Sequence, residues 1–260
     1  MAETKIEYAD YTANAWRGCS KVHAGCQHCY AETLANRFPE TFGRWGAEKQ
    51  GGVRVVADLD KLFRDVSRWD KKAASATRVG STSRPIVFWN DVSDTFEDWQ
   101  GPLIDRHGSR MFVTYETGEY APAQYPDELP KYLGKEWATL SDVRCRMFAD
   151  GIDANQNLTH VLLTKRPENI ARMWRESFLP DLLEGSDDTT PMQRPNVWLL
   201  YSASDQATLE SGLPHLLACR SLVPVLGLSL EPLIGPVDLE RFLLKPATGC
   251  GPCGPDDWDG

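Results

Sequence analysis

The stretch "GCSKVHAGCQHCYAE", Gly18 to Glu32, puts Cys19, Cys26 and Cys29 within eleven residues, with His23 and His28 between them. Before it, "ANAWRG" (Ala13 to Gly18) reads as the end of a first strand. After it, "YAETLANRF" reads as a helix with Tyr30, Leu34 and Phe38 on one side. The expected order is therefore strand, ligand-bearing loop, helix. Gly18 and Gly25 suit a chain that wraps closely around something, because glycine accepts backbone angles that other residues avoid.

Three thiols leave several chemistries open. Soft thiolates select zinc or iron–sulfur clusters over hard cations. A 4Fe-4S cluster held by Cys19, Cys26 and Cys29 keeps one iron free for a small molecule. Zinc instead takes the same three cysteines with His23 or His28, as in structural sites built from three cysteines and one histidine. A third arrangement joins Cys26-x-x-Cys29 to Cys250-x-x-Cys253 in a four-cysteine zinc site and leaves Cys19 out. The N-terminus "MAETKIEYAD" has no apolar signal core, so the seven cysteines read as reduced thiols or metal ligands rather than a disulfide framework. Cys145 and Cys219, in the helical patterns "SDVRCRMF" and "LPHLLAC", read as small buried hydrophobes.

With 260 residues, 42% hydrophobic and 25% charged, the chain suits one large core. Its net charge of -9 argues against a broad basic surface for nucleic acid. Apolar runs such as "VWLLY", Val197 to Tyr201, are far too short to span a membrane. A cytoplasmic protein with no membrane partner is expected.

Four runs read as buried strands: "PIVFW" (Pro85 to Trp89), "HVLLT" (His160 to Thr164), "NVWLLY" (Asn196 to Tyr201) and "VLGLSL" (Val225 to Leu230). Their near-continuous apolar character fits a parallel sheet covered on both faces. Helical patterns lie between them. "DLDKLFRDVSRW" aligns Leu59, Leu62, Phe63 and Val66; "RPENIARMWRESFLPDLL" aligns Ile170, Met173 and Trp174 behind Pro167. "SDQATLESGLPHLLACR" aligns Leu209, Leu213, Leu216 and Leu217 behind an Asp205 cap, with Pro214 placed to kink or divide it. Strands alternating with helices predict an α/β fold with crossover connections. The domain spans about residues 1–240, interrupted by a Gly-, Pro- and Tyr-rich excursion at about 99–140 that reads as a lid or flap. Residues 241–260 read as a flexible Cys/Gly/Pro-rich tail.

Polar residues follow each strand: "NDVSD", "TKRPE", "SASD" and "SLEP". In parallel α/β architectures the carboxyl ends of the strands form the ligand face. Asn90, Ser93, Asp94, Lys165, Arg166, Ser202, Ser204 and Glu231 are thus expected on one rim, together with the cysteine loop. Each also has a structural alternative as a cap, a turn residue or half of an ion pair.

The blocks "WRGCSKVHAGCQHCYAE", "FWNDVSDTF", "VLLTKRPEN", "NVWLLYSASDQ" and "LSLEPLIGPVDL" together resemble the phage-associated three-cysteine-motif family, usually grouped with the radical S-adenosylmethionine (SAM) enzymes. The resemblance implies a partial parallel (β/α) barrel in which Cys19, Cys26 and Cys29 hold a 4Fe-4S cluster. SAM would chelate the open iron, and an electron donor would drive its cleavage to a radical acting on an unknown substrate, with nucleotide or nucleic-acid modification as one class. It further implies cofactor contacts for Asn90, Ser93 and Asp94 at the SAM amino group, Lys165 or Arg166 at its carboxylate, and Ser202 and Glu231 at the ribose. Two departures stand out. The C-x6-C-x2-C spacing is longer than the common radical SAM spacing, and the chain stops at "GPDDWDG" where members of that family continue, which implies a shortened barrel. A non-enzymatic zinc-binding interaction protein on the same scaffold is the other reading.

Overall fold

The chain forms five parallel strands, of which the three inner ones are mostly buried, whereas the edge strand Val225–Ser229, expected to be buried, is only partly so. In this computed structural model, which describes residues 4, 6–78, 83–114, 119–122, 135–177 and 193–243, they are β1 (Tyr11–Ala13), β2 (Ile86–Trp89), β3 (Thr159–Thr164), β4 (Val197–Ser202) and β5 (Val225–Ser229). All pair in parallel and in chain order, with β1 and β5 at the two edges. The register aligns Trp89 with Leu162, Leu162 with Leu199 and Leu199 with Leu226. The sheet is open: β1 and β5 do not pair, so the expected α/β class holds and the strands form no closed barrel.

The helices bury the faces that the sequence pattern assigns to them, with two exceptions. Helix α1 is Tyr30–Arg37 and α2 is Leu59–Arg78, whose Leu59, Leu62, Phe63, Val66 and Trp69 are buried. Trp69 stacks flat on Tyr11 of β1 at 4.3 Å between ring centres. Helix α3 (Leu140–Arg146) starts at a reciprocal Thr139–Asp142 cap and runs on as a wider π-helical turn, Met147–Asp153. Helix α4 is Ile170–Glu176, after one tight turn at Pro167–Asn169. Helix α5 is Gln206–Leu217, capped by Asp205. Pro214 sits inside α5 without dividing it.

The first exception is Leu217, which is exposed, while Leu209, Leu213 and Leu216 are buried. The second is α1, whose inward face consists of Ala31 and Ala35, with Tyr30 and Phe38 exposed. The Tyr30 hydroxyl donates to the Asp91 carbonyl and so lies across the rim. Small alanines let α1 approach closely, which the aromatic face would prevent.

The first strand also ends earlier than the pattern suggests. Ala13 closes β1, and Trp16–Arg17 pairs antiparallel with Arg54–Val56, which continues in parallel to Leu103–Ile104 in a second small sheet. Asn90 makes the break: its backbone amide donates to the Ala13 carbonyl and its side-chain oxygen accepts from the Ala15 amide. Within the expected excursion, Met111–Thr114 pairs antiparallel with Glu119–Pro122 and with Lys135–Trp137. Residues 244–260, including Cys250 and Cys253, lie outside the described residues. Among the described residues no helix is long and apolar enough to cross a membrane.

One polar side chain at the centre of the sheet is fully paired. His160 in β3 accepts from Trp89 Nε1 at 2.9 Å on Nδ1, so its Nε2 proton faces the Asn155 carbonyl at 3.0 Å. Burial lowers its pKa to about 4, and the ring stays neutral. It belongs to the core, not to a site.

Packing of α5 on β4 allows a direct test. A Cβ on Gly212 would lie 2.2 Å from the ring of Tyr201, whose hydroxyl is already tied to the Thr208 carbonyl. Gly212→Ala gains about 1 kcal/mol of helix propensity, but overpacking costs about 1–3 kcal/mol. Urea unfolding should therefore show a net loss of stability; a more stable variant would mean the contact is looser than described.

Candidate functional site

The carboxyl rim is organised first by side chains that satisfy one another. Asn90, just after β2, has φ of 55°, a left-handed conformation that asparagine tolerates better than most residues. Its amide nitrogen donates to Thr95 Oγ1 at 3.0 Å. Ser93 Oγ donates to the Trp16 carbonyl at 2.9 Å. Asp94 is buried and accepts four bonds, from Phe96 N, Thr164 Oγ1, Lys165 N and Arg166 Nη1, at 2.7–3.0 Å.

Below the cysteine loop lies a buried chain of charges: Asp94, Arg166, Glu97 and Arg54. Glu97 is 1% exposed and receives Arg54 Nε at 2.7 Å and Arg54 Nη2 at 2.8 Å, a two-pronged pair. Arg166 Nη2 reaches the same carboxylate at 3.3 Å while its Nη1 holds Asp94 at 2.9 Å. Arg54 also lies over the Trp99 ring at 3.6 Å, and Arg144 donates to the Thr95 and Glu97 carbonyls at 2.8 and 2.7 Å. Two carboxylates balance Arg54 and Arg166, the condition on which buried charges persist. Sequence reasoning missed Glu97 and Arg54. The readable signal for Arg54 is a charge inside the apolar run "GVRVV".

This chain of charges grips the start of the loop. The Ser20 amide and hydroxyl both donate to Glu97 Oε1, at 3.0 and 2.7 Å, and the Ser20 carbonyl accepts from Arg166 Nη2 at 2.7 Å. Arg166 Nη1 also points at Cys19 Sγ from 3.4 Å. Gly18 before it adopts φ of 100°, and a Cβ there would meet the Val53 carbonyl at 2.8 Å, so glycine is required.

Beyond Ser20 the loop crosses to the end of β4. His23 caps the tight helical turn Ala24–His28 by accepting the Gly25 amide on Nδ1 at 3.1 Å. Gly25 is pressed on Ser204, where a Cβ would lie 1.9 Å from the Oγ. Cys26 is buried, and Cys29 forms the N-terminal boundary of α1. The structure thus brings the loop onto the expected rim. The expected cofactor residues divide: Asn90, Ser93, Asp94 and Arg166 are engaged internally, and Ser202 Oγ donates to the Glu231 carbonyl at 2.8 Å. Lys165 lines a separate cavity, and Glu231 is exposed.

The thiols Cys19, Cys26 and Cys29 supply the donor chemistry of a metal centre but not its geometry. Among the described residues no three Cys, His, Asp or Glu side chains converge as a metal site. All three cysteines are free, and as placed they do not fit a cluster. Burial, reinforced by Glu97, pushes the Cys19 thiol up to about 12 against the opposing pull of Arg166.

Two outcomes follow. Glu97→Ala leaves Arg54 buried and unpaired, so urea denaturation should show a loss of about 3–5 kcal/mol; a change within about 0.5 kcal/mol would mean that the network is not a structural anchor. Because its pKa is raised, Cys19 stays a thiol at pH 8 and turns into thiolate only as pH approaches about 12. Iodoacetamide at pH 8 should leave Cys19 unlabelled in the folded, metal-free protein and label it after unfolding, read by peptide mass spectrometry. Equal labelling in both states would contradict this placement.

One of the comparisons with known proteins finds a match. The family described as "Protein of unknown function (DUF5131)" matches residues 3–114 and 138–257, passing over 115–137 within the expected excursion. No curated protein and no solved structure matches. The match covers most of the chain, from before β1 to beyond β5, and the chain belongs to the DUF5131 family, a family of unknown function.

Proposed function

We propose that this protein is a SAM-dependent iron–sulfur enzyme of the radical SAM class, with Cys19, Cys26 and Cys29 as cluster ligands. The observation that carries the reading is one of place and chemistry together. Three free cysteines sit on one loop at the carboxyl rim of an open parallel α/β sheet, where this architecture binds its ligands. Loading requires the thiols to converge, so Cys19 must turn from Arg166 while Ser20 keeps its bonds to Glu97 and Arg166. Asn90, Ser93, Asp94, Arg166 and Ser202 then act as the frame of the rim, because their polar atoms already have partners. The substrate is unassigned, and an external electron donor is part of the proposal.

A second reading rests on a specific contact. Cys19 is engaged by Arg166, apart from the Cys26-x-x-Cys29 pair, which suits a four-cysteine zinc site completed by Cys250 and Cys253 in a non-enzymatic interaction protein. Anaerobic reconstitution with iron and sulfide, followed by metal analysis, separates the two. The enzyme reading expects about four iron and four sulfide per chain, loss of both in Cys19→Ser, and 5′-deoxyadenosine on reduction with SAM. Stoichiometric zinc that survives Cys19→Ser, with no SAM cleavage, would replace it with the zinc reading.

A further inference from the structure

The cysteine loop ends in a dithiol. Cys26 lies inside the tight helical turn Ala24–His28, and Cys29 follows that turn directly. Such a turn rises about 2.0 Å per residue and eclipses residues three apart, so the two Cα atoms lie about 6 Å from one another. Disulfides bridge Cα atoms roughly 4.4–6.8 Å apart. Cys29 has φ of -66°, which continues the helical backbone as far as its own Cβ, and only its ψ of 121° leaves the turn. Its side chain therefore stands on the same side of the turn as that of Cys26.

The other described cysteines are placed differently. Each of their thiols has an acceptor: the Ser20 carbonyl for Cys19, the Glu176 carbonyl for Cys145 and the His215 carbonyl for Cys219. Burial also raises the pKa of all three, to about 12 for Cys19 and about 11 for Cys219, so little of the reactive thiolate forms at neutral pH. The sulfurs of Cys26 and Cys29 make no hydrogen bond with the described residues. Cys29 is half-buried and Cys26 buried, so one thiol meets dissolved reagents and the other is shielded from them.

We infer that Cys26 and Cys29 form a thiol-modification site that takes a low-molecular-weight disulfide, such as oxidised glutathione, and resolves it into a reversible Cys26–Cys29 disulfide. The Cys29 thiolate attacks one glutathione sulfur, the glutathione S–S bond breaks and one glutathione thiolate leaves. Cys26 then attacks Cys29 Sγ, which forms the internal bond and releases the second glutathione. Each cysteine proton ends on a leaving glutathione, so the two cysteines are oxidised and the glutathione disulfide is reduced to two thiols. The anchors of the loop at Ser20 and Gly25 precede the pair, and closure leaves them in place. The site rests on neither metal reading but bears on both, because a closed disulfide withdraws two ligands from a cluster or from zinc until a reductant reopens it.

The test uses metal-free, reduced protein incubated anaerobically with oxidised glutathione, then unfolded in iodoacetamide, digested with trypsin and read by mass spectrometry. Cleavage after Arg17, Lys21 and Arg37 separates Cys19, in Gly18–Lys21, from the pair, in Val22–Arg37. Val22–Arg37 should appear unlabelled and lighter by a pair of hydrogens, and should take up label at both cysteines once dithiothreitol has been added. The peptides carrying Cys19, Cys145 and Cys219 should stay labelled. Cys26→Ser should retain glutathione on Cys29, and Cys29→Ser should slow modification of Cys26 by about tenfold or more. Treated wild-type protein whose Val22–Arg37 is labelled at both cysteines, keeps a glutathione adduct or is joined to another peptide would overturn the proposal. None of these outcomes depends on metal, so failure here leaves the iron and sulfide analysis to judge the cluster.

Discussion

The Glu97 carboxylate is the point on which the rim depends. Buried at 1% exposure, it takes both prongs of Arg54, one nitrogen of Arg166, and the amide and hydroxyl of Ser20. Those partners come from three places, the second sheet, the segment after β3 and the start of the cysteine loop, and Glu97 ties all three to the turn after β2 that carries it. In a low-dielectric interior none of these charges can be released alone, because each would leave its partner unpaired at a cost of several kcal/mol. Packing alone lets segments slide; a shared carboxylate with directed bonds fixes their register.

This constraint also decides what the rim residues are free to do. Asp94 and Arg166 look like cofactor-binding groups by position, yet their atoms are committed to one another and to the backbone. Buried polar atoms without a partner lie one step outward, at His23 Nε2 and Ser204 Oγ.

Much of this was legible in the sequence. Continuous apolar runs such as "VWLL" are readable because burial on both faces leaves no polar position, and α2 and α4 are readable because long apolar stripes repeat at helical spacing. The loop's seat on the rim follows from its place between a strand and a helix. The face of α1 was not legible: Tyr30 and Phe38 outweigh Ala31 and Ala35 in any hydrophobic pattern, yet close approach to the sheet selects the small residues. Nor was the pairing of Glu97 with Arg54, residues 43 positions apart whose meeting depends on the second sheet. Which polar residues are internally satisfied is a property of tertiary contacts, so sequence placed Asn90, Asp94 and Arg166 on the right rim without revealing that they close on one another.

Cys19 is where the frame and the loop chemistry meet. Its neighbour Ser20 is held by three hydrogen bonds of 3.0 Å or less to Glu97 and Arg166, whereas its own sulfur has only a 3.4 Å contact with Arg166 and another with the Ser20 carbonyl. Backbone anchoring is therefore strong and side-chain anchoring weak. Rotation about the Cα–Cβ bond moves the sulfur while the backbone stays fixed, forfeiting contacts worth about 1 kcal/mol. Thiolate–metal binding in small proteins supplies about 10 kcal/mol or more. The charge network thus holds the loop's backbone in place and leaves the thiol as its movable part, while its Glu97 carboxylate opposes the thiolate form that the proposed cluster would require.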